Sequence, residues 1–589
     1  MKKSDLKGFV RERLVELLHK ETIDSYRVRN HYSLSLMEEF DILLTEWNSN
    51  QIKNIATIEA SAQELICALK CDLCIDFSFY SIPLFEKDIA DYLQEVSSKE
   101  KKEDTVILSS RVLHLSARLH HIISKCIEIN KNKYLEKVFQ LIESIVFSEE
   151  ELSDDDYPKT LSSLDWALSS LCCTLLHLGY SKNHLYYKAS KLNKEPANFN
   201  LNFLALKDSF IKRESLDHII VFRLKVNDDI VKCSEEYGFT SSTDKWSMYL
   251  QGKSGITYKS YSESHPGELF FVYEGKALDM YSAIKDGKQL LSYQLDVMNV
   301  ALSKAKVIVQ DMVLVIQLTS TGRYIYERVT DFQLDGVFAN NASLASYFKS
   351  VVDDIKQNSS ISEEVKDRMV SALRHLRLGN ITSELESRFI NYWIALEFVF
   401  SSPVTNENTF GRIKKYLTTI LCSCYVKRNV LDLERKLKKE RIINDDQSLV
   451  LMTDADWATL IDKANSLLLQ WRLCKMKSHL RNPKALKDYI KQHERNLNWH
   501  LIRIYRMRNE LIHEAAIKQN IEGVTSNLRY YLVFLLNQLL SYFKAIPSGA
   551  NFVDTNDFFI EYETKYAQMC ESYDKTYVLS VDFQMNLLQ

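Results

Sequence analysis

The scarcity of glycine and proline is the feature that most constrains the fold of this chain. Its 589 residues include only 14 glycines and 7 prolines. Doubly wound sheets and large β-barrels depend on glycine turns at strand ends, so they are disfavoured and a helix-rich architecture is favoured. A single hydrophobic core cannot serve a chain of this length, so we expect two to four domains of roughly 100–250 residues each.

Charge and cysteine content exclude several function classes. The net charge of −3 gives no general attraction to nucleic acid or to an anionic membrane, so a site for a polyanion has to be a local patch. Eleven cysteines without a spacing framework predict a reduced, cytoplasmic protein. The first 20 residues are charged throughout, and no apolar run approaches about 18 residues, so we expect neither a signal peptide nor a membrane span.

Hydrophobic periodicity divides the chain into three parts. Residues 1–210 show mostly the three- and four-residue spacing of helices with one buried face. Residues 211–355 contain runs of β-branched and aromatic residues, a helical segment at 276–305 and a turn at Ser320-Thr321-Gly322 that predicts a hairpin. Residues 356–589 are helical again. The sequence therefore predicts a mainly α, multi-domain protein with a small central α+β domain.

Two weak motifs indicate neither a metal nor a phosphate site. Cys67, Cys71 and Cys74 have the spacing of three iron–sulfur ligands, but they lie in an apolar stretch without glycine that is typical of a buried helix. The Gly-Lys-Ser at 252–254 lacks the leading glycine of a phosphate loop, because Ser247 occupies that position. We expect no cofactor and no metal.

An Arg-Asn-x-x-x-His pattern occurs twice near the C-terminal end. The upstream copy, Arg495-Asn496 with His500, lies in a polar run that resembles a helix entry. The downstream copy, Arg508-Asn509 with His513, lies inside an amphipathic helix. The apolar residues that would anchor this helix are Leu501, Ile504, Leu511 and Ala515.

Helix geometry raises a question about the downstream copy. Residues four and seven apart lie within about 40° around a helix axis, so Arg506, Asn509 and His513 share one face. Arg508 is displaced from His513 by about 140°. Either the helix begins or distorts here, or Arg508 meets a histidine from another chain. The alternative is that all of these side chains are solvated surface charges.

Two separated segments carry a resemblance to a known family. The sequences "RFINYWIALEFVF" (388–400) and "IYRMRNELIHEA" (504–515) resemble the HEPN superfamily (higher eukaryotes and prokaryotes nucleotide-binding). They are most similar to the ApeA-like branch of bacterial anti-phage proteins. Members are helical bundles whose signature is an arginine, usually a polar residue after it, and a histidine four to six residues on. The resemblance implies a HEPN-type bundle over 356–589 and does not reach residues 1–350.

The resemblance also implies which residues form the site. The signature falls on Arg508, Asn509 and His513 as catalytic residues, and Arg506 satisfies the longest permitted spacing. Glu397 corresponds to the acidic residue of the first bundle helix, where it either holds an arginine through a salt bridge or is a paired, buried acid.

A metal-independent endoribonuclease is the activity that the resemblance implies. Many members cleave RNA at a site completed by two copies of the motif in a homodimer. A histidine near neutral pKa transfers protons, and a guanidinium binds the phosphate charge. We therefore expect RNA, including tRNA, as substrate, a phage-derived trigger, a role in abortive infection and no contact with a membrane.

Basic stretches at 426–441 and 475–495 are candidate RNA-binding segments of the same domain. Solvated helix faces are the alternative explanation. The candidate residues are Lys427, Arg428, Lys438, Lys439, Lys475, Lys477 and Arg481.

Two other functions stay open at this point. The first is a HEPN-fold binding or scaffold protein whose motif is vestigial. The second is a nucleotide-binding regulatory protein. The role of residues 1–355 is unassigned in each case.

Overall fold

The fold is taken from a computed structural model. It describes residues 3–22, 31–52, 54–97, 109–148, 156–251, 256–263, 265–302, 306–319, 322–329, 334–336, 338, 341–401, 408–513 and 521–580. Within these ranges the protein is mainly helical and contains one small antiparallel sheet. The predicted mainly α fold class is confirmed at this level.

The chain forms two compact units. One consists of Met1–Cys173 together with Leu334–Gln589, and the other of Thr174–Gln333. Hydrophobic periodicity predicts three parts with boundaries at 210 and 355, in which the N-terminal helices are separate from the C-terminal ones. Periodicity shows that a helix has a buried face but does not show which segment covers it, and this accounts for the difference.

Seven helices form the N-terminal part of the first unit within the described ranges. The apolar spacing that predicted helices in "SSRVLHLSARLHHIISKCIEI" and "LEKVFQLIESIVF" corresponds to the fifth and sixth of them. The bounds are α1 (Lys3–Leu18), α2 (Ser33–Asn48), α3 (Ile55–Cys71), α4 (Ile82–Ser97), α5 (Ser110–Asn130), α6 (Tyr134–Val146) and α7 (Tyr157–His177), whose last residues belong to the second unit.

The second unit packs helices against a five-stranded sheet. Its elements are α8 (Lys182–Lys194), α9 (Phe199–Lys212), β1 (Leu216–Val226), α10 (Asp228–Cys233), β2 (Phe239–Thr240), α11 (Asp244–Leu250), α12 (Ile256–Ser262), β3 (Glu268–Ala277), α13 (Met280–Ala301), β4 (Val307–Thr319) and β5 (Gly322–Val329). The strands pair antiparallel in the order β2-β3-β1-β4-β5.

The central strand β1 explains the continuous apolar run "IIVF" (219–222). Ile220 and Phe222 contact the core under α13, whereas Ile219 and Val221 contact Trp246 and its neighbours on the opposite face. Both faces of the strand are buried, so the sequence does not alternate between apolar and polar residues. The sheet is therefore the centre of its unit.

The predicted hairpin and the predicted helix of this unit are confirmed. Strands β4 and β5 pair from Met312↔Val329 to Thr319↔Gly322, and the two turn residues between them lie outside the described residues. Gly322 has a φ of +152°, in a region that favours glycine. Helix α13 falls inside the predicted segment 276–305.

The C-terminal part of the first unit is helical. Its elements are α14 (Ala342–Gln357), α15 (Glu363–Ile381), α16 (Leu385–Phe400), α17 (Thr409–Arg412), a π-helical turn (Ile413–Leu417), α18 (Thr418–Lys439), α19 (Asp454–Lys463), α20 (Leu467–Arg481), α21 (Pro483–His513), α22 (Ile521–Lys544), α23 (Thr555–Ser572) and α24 (Lys575–Ser580). Helix α22 is buried on nearly all sides, as expected for "LVFLLNQLL" (532–540), which is apolar except for Asn537 and Gln538.

Helix α16 begins without a side-chain cap. Ser383 and Glu386 have the Ser-x-x-Glu spacing of a capping box, but α16 begins at Leu385 with Glu384 as its N-cap and no side-chain cap bond. Ser383 instead donates to the Glu384 carboxylate at 3.1 Å. Only three residues connect α15 to α16, and the packing of these two helices against each other fixes where α16 starts.

Candidate active site

Helix α21 carries both copies of the Arg-Asn-x-x-x-His pattern. It has 31 residues, with Pro483 at its first position and no glycine or proline after it. The buried residues Leu486, Ile490, Leu497, Leu501 and Ile504 follow the three- and four-residue spacing of one helix face. The helix runs continuously to His513, so it neither starts nor breaks at the downstream copy.

Arg508 and Asn509 lie where α21 passes α16. The Arg508 Nη2 atom is 3.4 Å from Glu397 Oε1, and its Nη1 donates to Asn509 Oδ1 at 3.1 Å. The same Glu397 oxygen accepts a 2.6 Å hydrogen bond from the indole of Trp393. Glu397 therefore holds an arginine through a salt bridge, the first of the two roles considered for it.

Aromatic side chains support this ion pair. Tyr505 stacks on Phe410 with ring centroids 3.9 Å apart and lies 5.8 Å from the Trp393 ring. Rings have few rotatable bonds, so this cluster fixes the separation of α16 and α21 at little entropic cost. The segments "WIALE" and "YRMRN", which carry the resemblance, are brought side by side.

The Arg508 guanidinium retains hydrogen-bonding capacity. Its side chain is 24% exposed and that of Glu397 is 33% exposed. Its Nε atom is buried and has no hydrogen-bond partner within the described residues. Charge-assisted N–H···O bonds are commonly 2.7–2.9 Å long, so the single 3.4 Å contact to Glu397 is loose. An anionic ligand could therefore compete for this cation.

Arg506 faces away from Arg508, because two residues correspond to about 200° around a helix. Its Nη2 is 3.0 Å from Glu39 of α2, and its Nε is 3.2 Å from Glu510. Arg503, one turn earlier, pairs with Glu39 at 2.9 Å and with Glu64 of α3 at 2.7 Å. Arg506 thus belongs to a joint between the N-terminal helices and α21.

The joint is strongly coupled electrostatically. Burial alone would raise the pKa of Glu39, but Arg503 and Arg506 hold it well below its usual range. A narrow cleft adjoins these residues and Glu64. The arginines of the cleft are already neutralised by its own carboxylates, so it is a poor site for a polyanion.

His513 is the last residue of α21. Its side chain lies outside the described residues, as do residues 514–520. On the continuous helix its position remains about 140° from that of Arg508. The backbone therefore places His513 and Arg508 on different faces within one chain.

The upstream copy has its histidine in the core and its arginine at the surface. It lies in the middle of α21, so the predicted helix entry is wrong: the helix begins 12 residues before Arg495, at Pro483. His500 is only 5% exposed, and its Nδ1 atom is 2.9 Å from the hydroxyl of Tyr531 on α22. A histidine in this position supports packing rather than chemistry at a surface.

The candidate RNA-binding cations differ in burial and in their partners. Arg428 is buried against the rings of Tyr425 and Tyr530 and is therefore not presented to a ligand. Lys477 and Arg481 both lie near Asp454, at 3.8 and 3.4 Å.

The other candidate cations are divided among several environments. Lys438 donates to the Asp445 carbonyl at 2.7 Å, and Lys427 is partly buried. Lys475 lies 3.7 Å from the centre of the Trp471 ring. Lys439 is exposed. Charge runs identified these residues, but a run does not show which helix face each one occupies.

Sequence reasoning missed one histidine beside the site. His375 of α15 has its Nδ1 atom 3.0 Å from Asn391 Oδ1 and stacks on Phe398, the residue after Glu397, with centroids 5.5 Å apart. A lone histidine in an amphipathic segment gives no spacing signal. Only the packing of α15 on α16 reveals this contact.

The weak cysteine motif does not form a cluster. Cys67 and Cys71 are exposed and Cys74 is buried, and burial raises the pKa of the Cys74 thiol to about 12. No group of three or more metal-binding side chains is found in the part of the chain that the structure describes. The Gly-Lys-Ser motif at 252–254 lies outside the described residues.

Two further findings bear on identity. None of the helices that the structure describes is long and apolar enough to cross a membrane. Comparisons of the chain with protein-family models, with curated proteins and with solved structures gave no match.

Proposed function

We propose that this protein is a metal-independent endoribonuclease of the HEPN type that acts in bacterial anti-phage defence. The observation that carries the proposal is the contact between Arg508 and Glu397. The two segments that resemble HEPN proteins lie about a hundred residues apart in sequence, and this ion pair joins them. A partly exposed guanidinium is thereby held at the surface of a helical bundle.

The proposed chemistry uses the nucleophile that RNA carries. The 2′-hydroxyl attacks the adjacent phosphorus, a base removes its proton, and an acid protonates the leaving 5′-oxygen. Arg508 stabilises the charge that builds on the phosphate oxygens, and Asn509 orients the guanidinium or the phosphate. His513 transfers a proton, which an imidazole does well near neutral pH. The products are a 2′,3′-cyclic phosphate and a 5′-hydroxyl.

A homodimer resolves the angular separation within one chain. Arg508 and His513 lie about 140° apart on a continuous helix, so one substrate phosphate does not readily reach both. Two α21 helices that meet near their C-terminal ends bring the arginine of one copy near the histidine of the other. We propose that the active species is this dimer and that an unidentified phage-derived trigger controls it.

The first experiment tests cleavage itself. Purified protein is incubated with total RNA or tRNA in EDTA, and the product ends are identified. We expect cyclic phosphate ends without added metal, and loss of cleavage in His513→Ala. Unchanged cleavage in that variant, or dependence on a divalent cation, would overturn the proposed chemistry.

A non-catalytic scaffold is the second candidate, and the same ion pair favours it. In this interpretation the contact between Arg508 and Glu397 serves only to join α21 to α16. The scaffold function predicts that RNA stays intact under every condition and that Arg508→Ala changes stability alone. Measuring cleavage and thermal unfolding on the same preparations distinguishes the two functions.

A further inference from the structure

Helix α16 has a solvent-facing stripe beside the candidate active site. The residues of α16 that escape burial between its first turn and its end recur at three- and four-residue intervals, as expected for one helix face. They are Ser387, Ile390, Asn391, Ile394, Glu397 and Phe398. Phe398 is 37% exposed, although large apolar side chains are usually buried.

A polar contact bounds the stripe on each side. On one side Asn391 binds His375 of α15 at 3.0 Å, and on the other Glu397 pairs with Arg508 of α21 at 3.4 Å. Asn391 and Glu397 project from different sides of α16, because six residues correspond to about 240° around the axis. The stripe is thus a strip of surface between α15 and α21.

Phe398 is held in place on this strip. Its ring stacks on the imidazole of His375 with an interplanar angle of 29°. The Asn391 Nδ2 donates to the Ser387 carbonyl at 2.8 Å, so Asn391 Oδ1 is left to accept a hydrogen bond from the Nδ1–H of His375. This chain of contacts fixes the imidazole, and the imidazole supports one face of the phenyl ring.

The charge around the strip is suited to an anionic ligand. Arg374 of α15, the neighbour of His375 in sequence, is exposed, and Arg508 supplies a second guanidinium at the opposite side. Glu397 and Phe398 are consecutive, so their Cα atoms are about 3.8 Å apart and their side chains leave α16 about 100° apart around its axis. Each nucleotide of single-stranded RNA presents both a phosphate and an aromatic base, and proteins bind such strands with cationic grooves and stacking rings.

We propose that Phe398 is a nucleobase-stacking platform for single-stranded RNA, placed next to the phosphate that Arg508 binds. The platform rests on the proposed function, because it assigns the substrate path of that same site. The base stacks on the exposed ring of Phe398, and His375, oriented by Asn391, supports the ring. Duplex RNA cannot place an unpaired base there, so the site selects single strands.

The test measures stacking directly. Full-length protein with His513→Ala, which prevents turnover, is titrated with 10-nucleotide single-stranded RNAs that carry 2-aminopurine at successive positions. Anisotropy of an end label gives Kd, and quenching of 2-aminopurine reports stacking. We expect Phe398→Leu to raise Kd about 10-fold and to abolish the quenching at one position. We expect Phe398→Trp to retain both.

Matched controls distinguish a loss of base stacking from a loss of folding and from non-specific RNA binding. Phe398→Leu keeps an apolar side chain at the position, and thermal unfolding checks its stability. Phe552 is 70% exposed in the same unit, so Phe552→Leu removes an aromatic ring elsewhere and should leave Kd and quenching unchanged. A duplex of the same sequence should bind more weakly and show no response to Phe398→Leu.

The outcomes distinguish this proposal from the one it rests on. If RNA is cleaved but Phe398→Leu gives the same Kd and the same quenching as the protein with Phe398, the stacking platform is wrong and the ribonuclease function is retained. If no RNA is cleaved but Phe398→Leu weakens binding and removes the quenching, the platform stands and the catalytic function is wrong. If duplex and single strands respond alike, or no RNA binds, the platform is also wrong.

Discussion

The two copies of the Arg-Asn-x-x-x-His pattern lie on one helix and have opposite surroundings. Arg495 and Arg508 are 13 residues apart, which corresponds to about 220° around the axis of α21. In the upstream copy the histidine is buried against Tyr531 of α22 and the arginine is exposed, whereas in the downstream copy the arginine is partly exposed and pairs with Glu397 of α16. Identical spacing therefore yields a core residue in one case and a candidate reactive group in the other, depending on the neighbouring helix.

The largest expected effect is a loss of stability. It concerns the part of α21 around Arg503 and Arg506, which is anchored to the N-terminal helices through Glu39. Glu39→Gln removes the carboxylate charge that Arg503 and Arg506 share, and leaves buried cations without full compensation. We expect a loss of about 3–5 kcal/mol in the free energy of unfolding, measured by chemical denaturation. Glu59→Gln on α3 is the control, since Glu59 forms no ion pair within the described residues. Equal stability of the two variants would contradict a structural role for this joint.

The same joint predicts a pH dependence. The pKa of Glu39 is lowered in the folded protein, so its stabilising contribution is present above the ordinary glutamate pKa of about 4.3 and is lost as the pH falls below it. The wild-type protein should therefore lose stability below about pH 4.5 more steeply than Glu39→Gln. Thermal unfolding of both proteins between pH 3 and pH 7 measures the difference, and parallel curves would contradict it.

Replacing the arginine of each copy by alanine tests which copy takes part in RNA cleavage. We expect Arg508→Ala to lower RNA cleavage about 10²–10³-fold, the range for loss of one donor to a developing oxyanion. Arg495 is exposed and distant in angle, so Arg495→Ala should leave the rate unchanged. Arg506→Ala should lower stability but not the rate of the folded enzyme. Equal rates for Arg508→Ala and Arg495→Ala would remove the distinction between the copies.

The buried histidine of the upstream copy gives a smaller and purely structural effect. His500→Ala removes one hydrogen-bond partner of the Tyr531 hydroxyl and a buried side chain, and we expect a loss of about 1–3 kcal/mol in unfolding free energy. Cleavage measured well below the melting temperature should not change. Loss of cleavage in a variant that is still folded would indicate that the upstream copy also has a catalytic role.

Helix periodicity predicted many of the helices but not which helices pack against each other. The apolar spacing of "LNWHLIRIYRMRNELIHEAA" anticipated an amphipathic helix and the relative angles of Arg506, Arg508 and His513. It could not show that α21 begins as early as Pro483, because a polar run such as "KQHERNLN" is compatible with both a helix entry and a helix interior. The pairing of Arg503 with two acids more than four hundred residues away is a tertiary contact that no local pattern encodes.

The candidate site was predictable only in part, for the same reason. The resemblance suggested Glu397 as the partner of an arginine, and the structure identifies that arginine as Arg508 rather than Arg506. His375 and Phe398 gave no signal, because one histidine and one aromatic in separate helices look like core residues. The basic run at 426–441 suggested an RNA surface, although packing buries Arg428.

The smallest expected effect concerns Glu397, and it tests whether this carboxylate positions Arg508 for catalysis. Glu397→Gln keeps an oxygen that can accept the Trp393 hydrogen bond but removes the ion pair with Arg508. The pair is partly exposed and long, so the free energy of unfolding should fall by less than about 1 kcal/mol. If Glu397 orients Arg508, kcat should drop about 10-fold with little change in KM, since orientation matters most in the transition state.

Glu386→Gln, on the first turn of the same helix, should behave as wild type, and Glu397→Asp should recover part of the rate. If instead Glu397 competes with the substrate for Arg508, the charge-neutral variant should bind RNA more tightly. A lower KM with an unchanged kcat would then indicate that the Glu397 carboxylate competes with RNA for Arg508 and does not position it.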